Sequence, residues 1–223
     1  LLICGLVARQ GLRDPLRRAF TWNTLSIVSW NLDIFALYYF TDAASAEWWS
    51  RVFRIGICLA PATTFHFALA LSESGALGWR VLLGGAYATG FTLAVANMFG
   101  LLVTNVTPHR WGWYIEPGPL YGVLTASLVI FLGLWANRVW RAYRHPISSR
   151  QRVQAKFWLL GGLIQIPFVL TNLLPIYGIN IYPLGNVGNV LFTAIVAYAM
   201  VRHRLMDVDY IVRKGVSFGL AAG

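Results

Sequence analysis

Apolar runs of about 20 residues recur along the whole chain, and the charged residues gather in short clusters between them. A run of that length just covers a hydrocarbon layer of ~30 Å as an α-helix. Inside lipid every backbone N–H and C=O must be satisfied by the chain itself, which leaves helices and closed barrels as spanning structures. A barrel would show alternating segments of about ten residues, and none is present. The expected fold is therefore all-α: a single polytopic bundle over residues 1–223 with about seven transmembrane helices. Composition agrees, with 57% hydrophobic and 12% charged residues, against roughly 25% charged in soluble domains.

The runs predict helices over about 19–40, 51–72, 81–103, 120–140, 157–176 and 184–201, with partial helices at 1–8 and 215–223. The first residue is Leu1, and residues 1–8 lead straight into Arg9. A signal peptide carries its positive charges before its apolar stretch, so both short runs read as halves of membrane helices from a longer parent. Residues 41–50 and 104–119 read as loops, the second rich in Pro and Trp. Trp48, Trp49, Trp111, Trp113 and Trp140 read as interfacial anchors at helix ends. There is no internal repeat and no low-complexity segment.

A net charge of +10 suggests nucleic acid until the charges are placed. Counted on alternate sides of the membrane, fifteen Lys and Arg fall on one side, in the loops around 9–18, 80, 138–156 and 202–214. Three fall on the other: Arg51, Arg54 and Arg110. Cytoplasmic loops carry the basic excess. The chain is therefore expected to start outside, with residues 202–214 cytoplasmic. The expected partners are the lipid bilayer and a protein, either a second copy or a larger membrane complex, and not nucleic acid.

No catalytic signature is present: no phosphate-binding glycine loop, no dinucleotide fingerprint, no paired-cysteine or zincin motif. Cys4 and Cys58 lie within apolar runs and form no disulfide framework or metal spacing. No metal and no cofactor are expected, and the chain is not expected to be an enzyme. The candidates are buried polar residues, which in lipid are functional hypotheses by default. His66 is the one histidine within an apolar run. It reads first as a neutral imidazole hydrogen-bonded to a neighbouring helix, then as a ligand or signalling residue, and last as a pigment ligand. Asp33 lies in the outer half of its helix, where an unpaired carboxylate is costly; Arg54, or failing that Arg51, stands at reachable depth on the next helix. Asn186 and Asn189 sit in Gly-Asn pairs that suit close helix packing and interhelical hydrogen bonds. Beyond the last full run, Leu205, Val208 and Val212 share one face at helical spacing, with Asp207 and Asp209 elsewhere. Together with Arg202 and Arg204 they suggest a juxtamembrane coupling helix at the cytoplasmic interface.

Several short stretches carry a resemblance. They are Arg-Asp-Pro-Leu-Arg-Arg-Ala-Phe at 13–20, Trp30-Asn31-Leu32, Trp49-x-Arg51 with Gly56, Leu59-Ala-Pro61, and Phe65-His66-Phe67. The last is the exit Tyr198-Ala-Met-Val-Arg-His-Arg-Leu-Met-Asp-Val-Asp209. Together the chain resembles the seven-helix N-terminal sensor region of bacterial membrane histidine kinases, also found ahead of diguanylate-cyclase-type outputs. The resemblance implies an outward-facing sensor bundle whose output lies beyond its C-terminus, since no phosphoacceptor helix or ATP-binding glycine box occurs in these residues. The alternative is an accessory subunit packed against a larger respiratory or photosynthetic complex.

Overall fold

The computed structural model describes residues 13–203. They form seven helices and one β-hairpin: α1 (Pro15–Tyr39), α2 (Ala43–Phe53), α3 (Ile55–Leu71), α4 (Leu77–Met98), β1 (Val103–His109), β2 (Gly112–Pro117), α5 (Tyr121–Arg144), α6 (Ser149–Thr171) and α7 (Gly185–His203). A single 3-10 turn, Pro175–Tyr177, joins α6 to α7. Four helices are long and apolar enough to cross a bilayer: Ala43–Leu71 taken through its bend, Leu77–Met98, Tyr121–Arg144 and Ser149–Tyr177; Gly185–Ala199 is a shorter apolar helix. The expected partial helices at 1–8 and 215–223 lie outside the described residues.

The boundaries depart from expectation where caps act. α1 begins four residues before the expected start, because Asp14 accepts the Leu16 N–H and Pro15 occupies the first turn, where a missing N–H costs nothing. Residues 43–50, expected as loop, are helical: Asp42 caps α2 by accepting the Ser45 N–H at 2.8 Å. α6 likewise starts at Ser149, capped by Ser148, rather than near Phe157. α3 stops in a left-handed Glu73 (φ 48°), with the Ser74 N–H reaching back to the Leu69 carbonyl, the bond of a Schellman ending.

The all-α expectation needs one correction. Residues 103–117, expected as loop, form an antiparallel hairpin in which His109 pairs with Gly112 across the two-residue turn Arg110–Trp111. Trp111 and Trp113 thus belong to the hairpin, Trp48 and Trp49 to the body of α2 and Trp140 to that of α5, so none of the five stands at a helix end. The hairpin is tied down at its edges: the Trp113 indole donates to the Phe40 carbonyl at 3.0 Å, and the Tyr114 hydroxyl to the Asn172 carbonyl.

Packing is tightest between α6 and α7, α1 and α3, and α3 with α4 and α5, which makes α3 the centre of the bundle. The α1–α3 crossing is close because residues there are small. A Cβ on Gly56 would stand 2.5 Å from the Ser26 carbonyl oxygen and the Trp30 nitrogen, and the Ser26 and Ser29 hydroxyls donate across to the Gly56 and Phe53 carbonyls. Membrane helices associate through such small-residue contacts. Two large apolar clusters result. One, around Phe20, Phe67, Trp135 and Trp158, lies toward the start of α1; the other, around Trp30, Leu37, Tyr114 and Leu124, lies toward the hairpin.

The helix ends sort by charge. Gln151 donates to the Leu71 carbonyl, and Arg138 reaches Ser72 and Ser74 while covering the Trp79 ring. A basin lined by Asp14, Arg17, Arg80, Ser148 and Arg150 joins the same ends. The described basic segments therefore meet at one end of the bundle, and the hairpin closes the other; residues 9–12 and 204–214 lie outside the described residues.

Candidate functional site

Asp33 lies six residues before the hairpin end of α1, and Arg54 stands at the break between α2 and α3. The structure brings them together, with Arg54 Nη2 2.7 Å from Asp33 Oδ2 and exposures of 1% and 0%. The two atoms face each other without hydrogen-bond alignment, so neither carboxylate oxygen receives a well-aligned donor. Arg54 Nε donates to Ser50 Oγ at 3.0 Å, and Asn97 of α4 donates to the Arg51 carbonyl at 3.1 Å. Helix α2 breaks at this point, and the pair holds both sides of the break against α1. Arg51, the other candidate partner, instead pairs with Glu47 at 2.5 Å and donates to the Met98 carbonyl. In a low-dielectric interior such a pair is held by geometry, and losing one partner leaves an uncompensated charge.

Asn189 is 6% exposed and sits in a chain of side-chain hydrogen bonds. Gln165 of α6 donates to Asn189 Oδ1 at 2.5 Å, Asn189 donates to Asn31 Oδ1 of α1 at 3.0 Å, and Asn31 donates to the Ile27 carbonyl. Three helices are joined by this ladder. Gly188 beside it packs so closely that a Cβ would lie 2.6 Å from Phe168 Cβ. Asn186 is half-buried and does not join the ladder.

His66 is half-buried on α3, nearer the basic end, and shares a hydrogen bond with the Tyr87 hydroxyl of α4 at 3.0 Å between Nδ1 and Oη. Their rings meet edge to face at 5.9 Å. Among the described residues no three His, Cys, Asp or Glu side chains gather within reach of one metal ion. Arg202 lies in the last turn of α7; its side chain, and all of Arg204, Leu205, Asp207 and Asp209, fall outside the described residues.

Between the two apolar clusters lies a cavity of about 130 Å³. Its wall runs from Gly162 and Trp135 at the basic side to Asn172 and Ile176 at the hairpin side, with Trp30 and Arg54 between. Sequence reasoning did not find this space, nor Tyr87, Gln165, Asn31 or Asn172. Polar amides inside apolar helices are themselves a signal, but which of them meet depends on helix rotation and depth.

These elements define a class: a multi-pass membrane bundle, mostly helical, with buried polar joints between its helices. Residues 1–209 match the family model described as the N-terminal 7TM region of histidine kinase, and the chain belongs to that family. The match covers the motifs from Arg13 to Asp209 that carry the resemblance. No curated protein and no solved structure matches the chain.

Proposed function

We propose that this chain is the signal-receiving module of a membrane receptor, crossing a bacterial inner membrane seven times with its hairpin outside. Six crossings belong to α1, the bent α2–α3 pair, α4, α5, α6 and α7, and the partial helix expected at 1–8 lies outside the described residues. The observation that supports the reading is the match over residues 1–209 to a family described as the N-terminal 7TM region of histidine kinase. Helix α7 is the element that leads toward residues 202–214, and Asn189 ties it to α1 and α6. A shift of α7 against those helices is the motion such an output would feel.

The test is a chimera in which a histidine-kinase catalytic core follows residue 223 in frame. Asn189→Leu and Gln165→Leu break the ladder; Val95→Leu, on an exposed face of α4, is the control. Substitutions along a coupled element change it by about 0.5–2 kcal/mol, or roughly two- to thirtyfold in output. A shift of that size in basal autophosphorylation, absent in the control, supports the proposal. Correctly inserted ladder variants with the control's output contradict it.

A further inference from the structure

Two recesses on the outer surface of the bundle meet at His66. The first is the basin at the basic end, about 650 Å³. The second is a groove of about 440 Å³, with α3 as its floor and α1 and α4 as its walls. His66 lines both. Each wall is one stripe of a helix that runs from basin into groove. On α4, Arg80 and Leu83 line the basin, and Tyr87 and Phe91 line the groove; spacings of three and four put all four on one face. On α3 the groove passes over Gly56, Leu59 and Thr63 to His66, and Leu69 and Ala70 continue into the basin. The chemistry changes along these stripes. Trp22, Leu25 and Phe91, 53%, 40% and 52% exposed, give the groove an apolar rim. The basin instead holds Arg17, Arg80 and Arg150, and Arg138 reaches its wall through Ser74. Of the basin's carboxylates, Asp14 is engaged by Arg17 at 3.4 Å and by the Leu16 N–H of the α1 cap. Arg80 is exposed and takes part in no ion pair among the described residues.

We propose that basin and groove together hold one anionic phospholipid, with its phosphate among the arginines of the basin and one acyl chain along the groove. Charge selects the headgroup. Basic pockets between membrane helices recruit anionic lipids, whereas a zwitterionic lipid brings a cation of its own among the arginines. Length suits the chain: from His66 to Ile55 the groove follows α3 for about 16 Å of helix rise, against ~15 Å for one leaflet of a ~30 Å hydrocarbon layer. His66 stands at the junction, where the ester oxygens of such a lipid pass. Its Nδ1 shares a hydrogen bond with the Tyr87 hydroxyl, and its Nε2 has no partner among the described residues. A soluble phosphate compound would use the basin and leave the groove bare, so the continuity of the two favours a lipid. Such a site goes beyond the receptor reading and does not depend on it.

The experiment is native mass spectrometry of the full chain released from detergent, titrated with dioleoylphosphatidylglycerol or dioleoylphosphatidylcholine. The two share acyl chains and differ in headgroup charge. The first phosphatidylglycerol is expected to bind about tenfold more tightly than the first phosphatidylcholine. Arg80→Gln is expected to reduce that preference about fivefold, the worth of one arginine near an anionic lipid. Arg144→Gln removes the same charge beside Trp140, outside the basin, and is expected to leave the preference unchanged. Leu25→Trp, which narrows the groove from α1, is expected to weaken both lipids several-fold. Glycerophosphoglycerol, the same headgroup without acyl chains, is expected not to displace the lipid at equal concentration. Equal binding of the two lipids, or binding of neither, would overturn the proposal, as would an Arg80→Gln that behaves like Arg144→Gln. Unchanged affinities in Leu25→Trp would take the acyl chain out of the groove and overturn it as well. Displacement by the free headgroup would make the basin a site for soluble phosphates and overturn the lipid assignment. The comparison of the two lipids needs no variant, so a poorly folding substitution leaves it decisive.

Discussion

Asp33 and Arg54 are 21 positions apart in sequence, one within α1 and the other at the break between α2 and α3, yet they share one fully buried contact. Breaking a buried pair from one side costs about 3–5 kcal/mol, because the remaining charge has no solvent and no partner. Asp33→Asn and Arg54→Met are each expected to lower the stability of the bilayer-embedded protein by that order. The double variant is expected to lose clearly less than the sum, which a double-mutant cycle by steric trapping would measure. Additive losses would mean the two side chains act separately. Asp42, at the exposed start of α2, behaves oppositely: the Ser45 N–H it accepts holds its carboxyl below the usual aspartate value. A depressed folded-state value means the cap stabilises α2 above the ordinary pKa of ~3.9 and is lost as pH falls through the folded value. Thermal melts below about pH 4 should therefore fall more steeply for the unaltered protein than for Asp42→Asn, which still caps but does not titrate. At this scale the sequence made Asp33, Arg54, Asn189 and His66 visible, since polar residues stand out against hydrocarbon. Their partners Asn31, Gln165 and Tyr87 were hidden, because a hydrogen bond between helices depends on their rotation.

Elements were legible where hydrophobic runs alone decide and less so where caps or turns do. Helix α1 starts early because Asp14 and Pro15 form a ready N-terminus. The hairpin escaped notice because its turn, Arg110–Trp111, lacks the Asn-Gly or Asp-Gly pair that marks tight hairpins. Gly112 follows that turn at φ 128°, and a Cβ there would lie 2.8 Å from the Leu37 carbonyl oxygen. At the α1–α3 crossing Gly56 has equally little room, so Gly56→Leu is expected to force the helices apart at a cost of about 1–3 kcal/mol or more. The same substitution at Gly84, where nothing lies within 4 Å of a Cβ, should be close to neutral. Equal unfolding free energies for the two variants would sink the close-crossing account. Just beyond α3, Glu73→Gly should stabilise the helix end by roughly 0.5–1 kcal/mol, since a left-handed position suits glycine better than a residue that carries a Cβ; a drop in denaturant midpoint would contradict it.

At the scale of the whole molecule, the charge count and the structure meet. Among the described residues, the basic segments around 13–18, 80 and 138–152 come together at one end of the bundle, and the hairpin with Arg110 occupies the other. Periodicity and loop charge made this arrangement readable, because lipid punishes any other placement of Lys and Arg clusters near one face. The cavity was not readable, since a void is a property of how five helices and a hairpin fail to fill space together. The receptor reading depends on orientation above all: a hairpin outside and α7 delivering its end to the cytoplasm. That is tested by cysteine labelling in intact cells with a membrane-impermeant maleimide, on a background with Cys4 replaced by Ser and Cys58 retained because it is buried. Arg110→Cys, exposed on the hairpin turn, should label from outside. Ser148→Cys, exposed at the start of α6, should label only after permeabilisation. Labelling of both from outside, or the reverse pattern, would contradict the orientation and with it the receptor account.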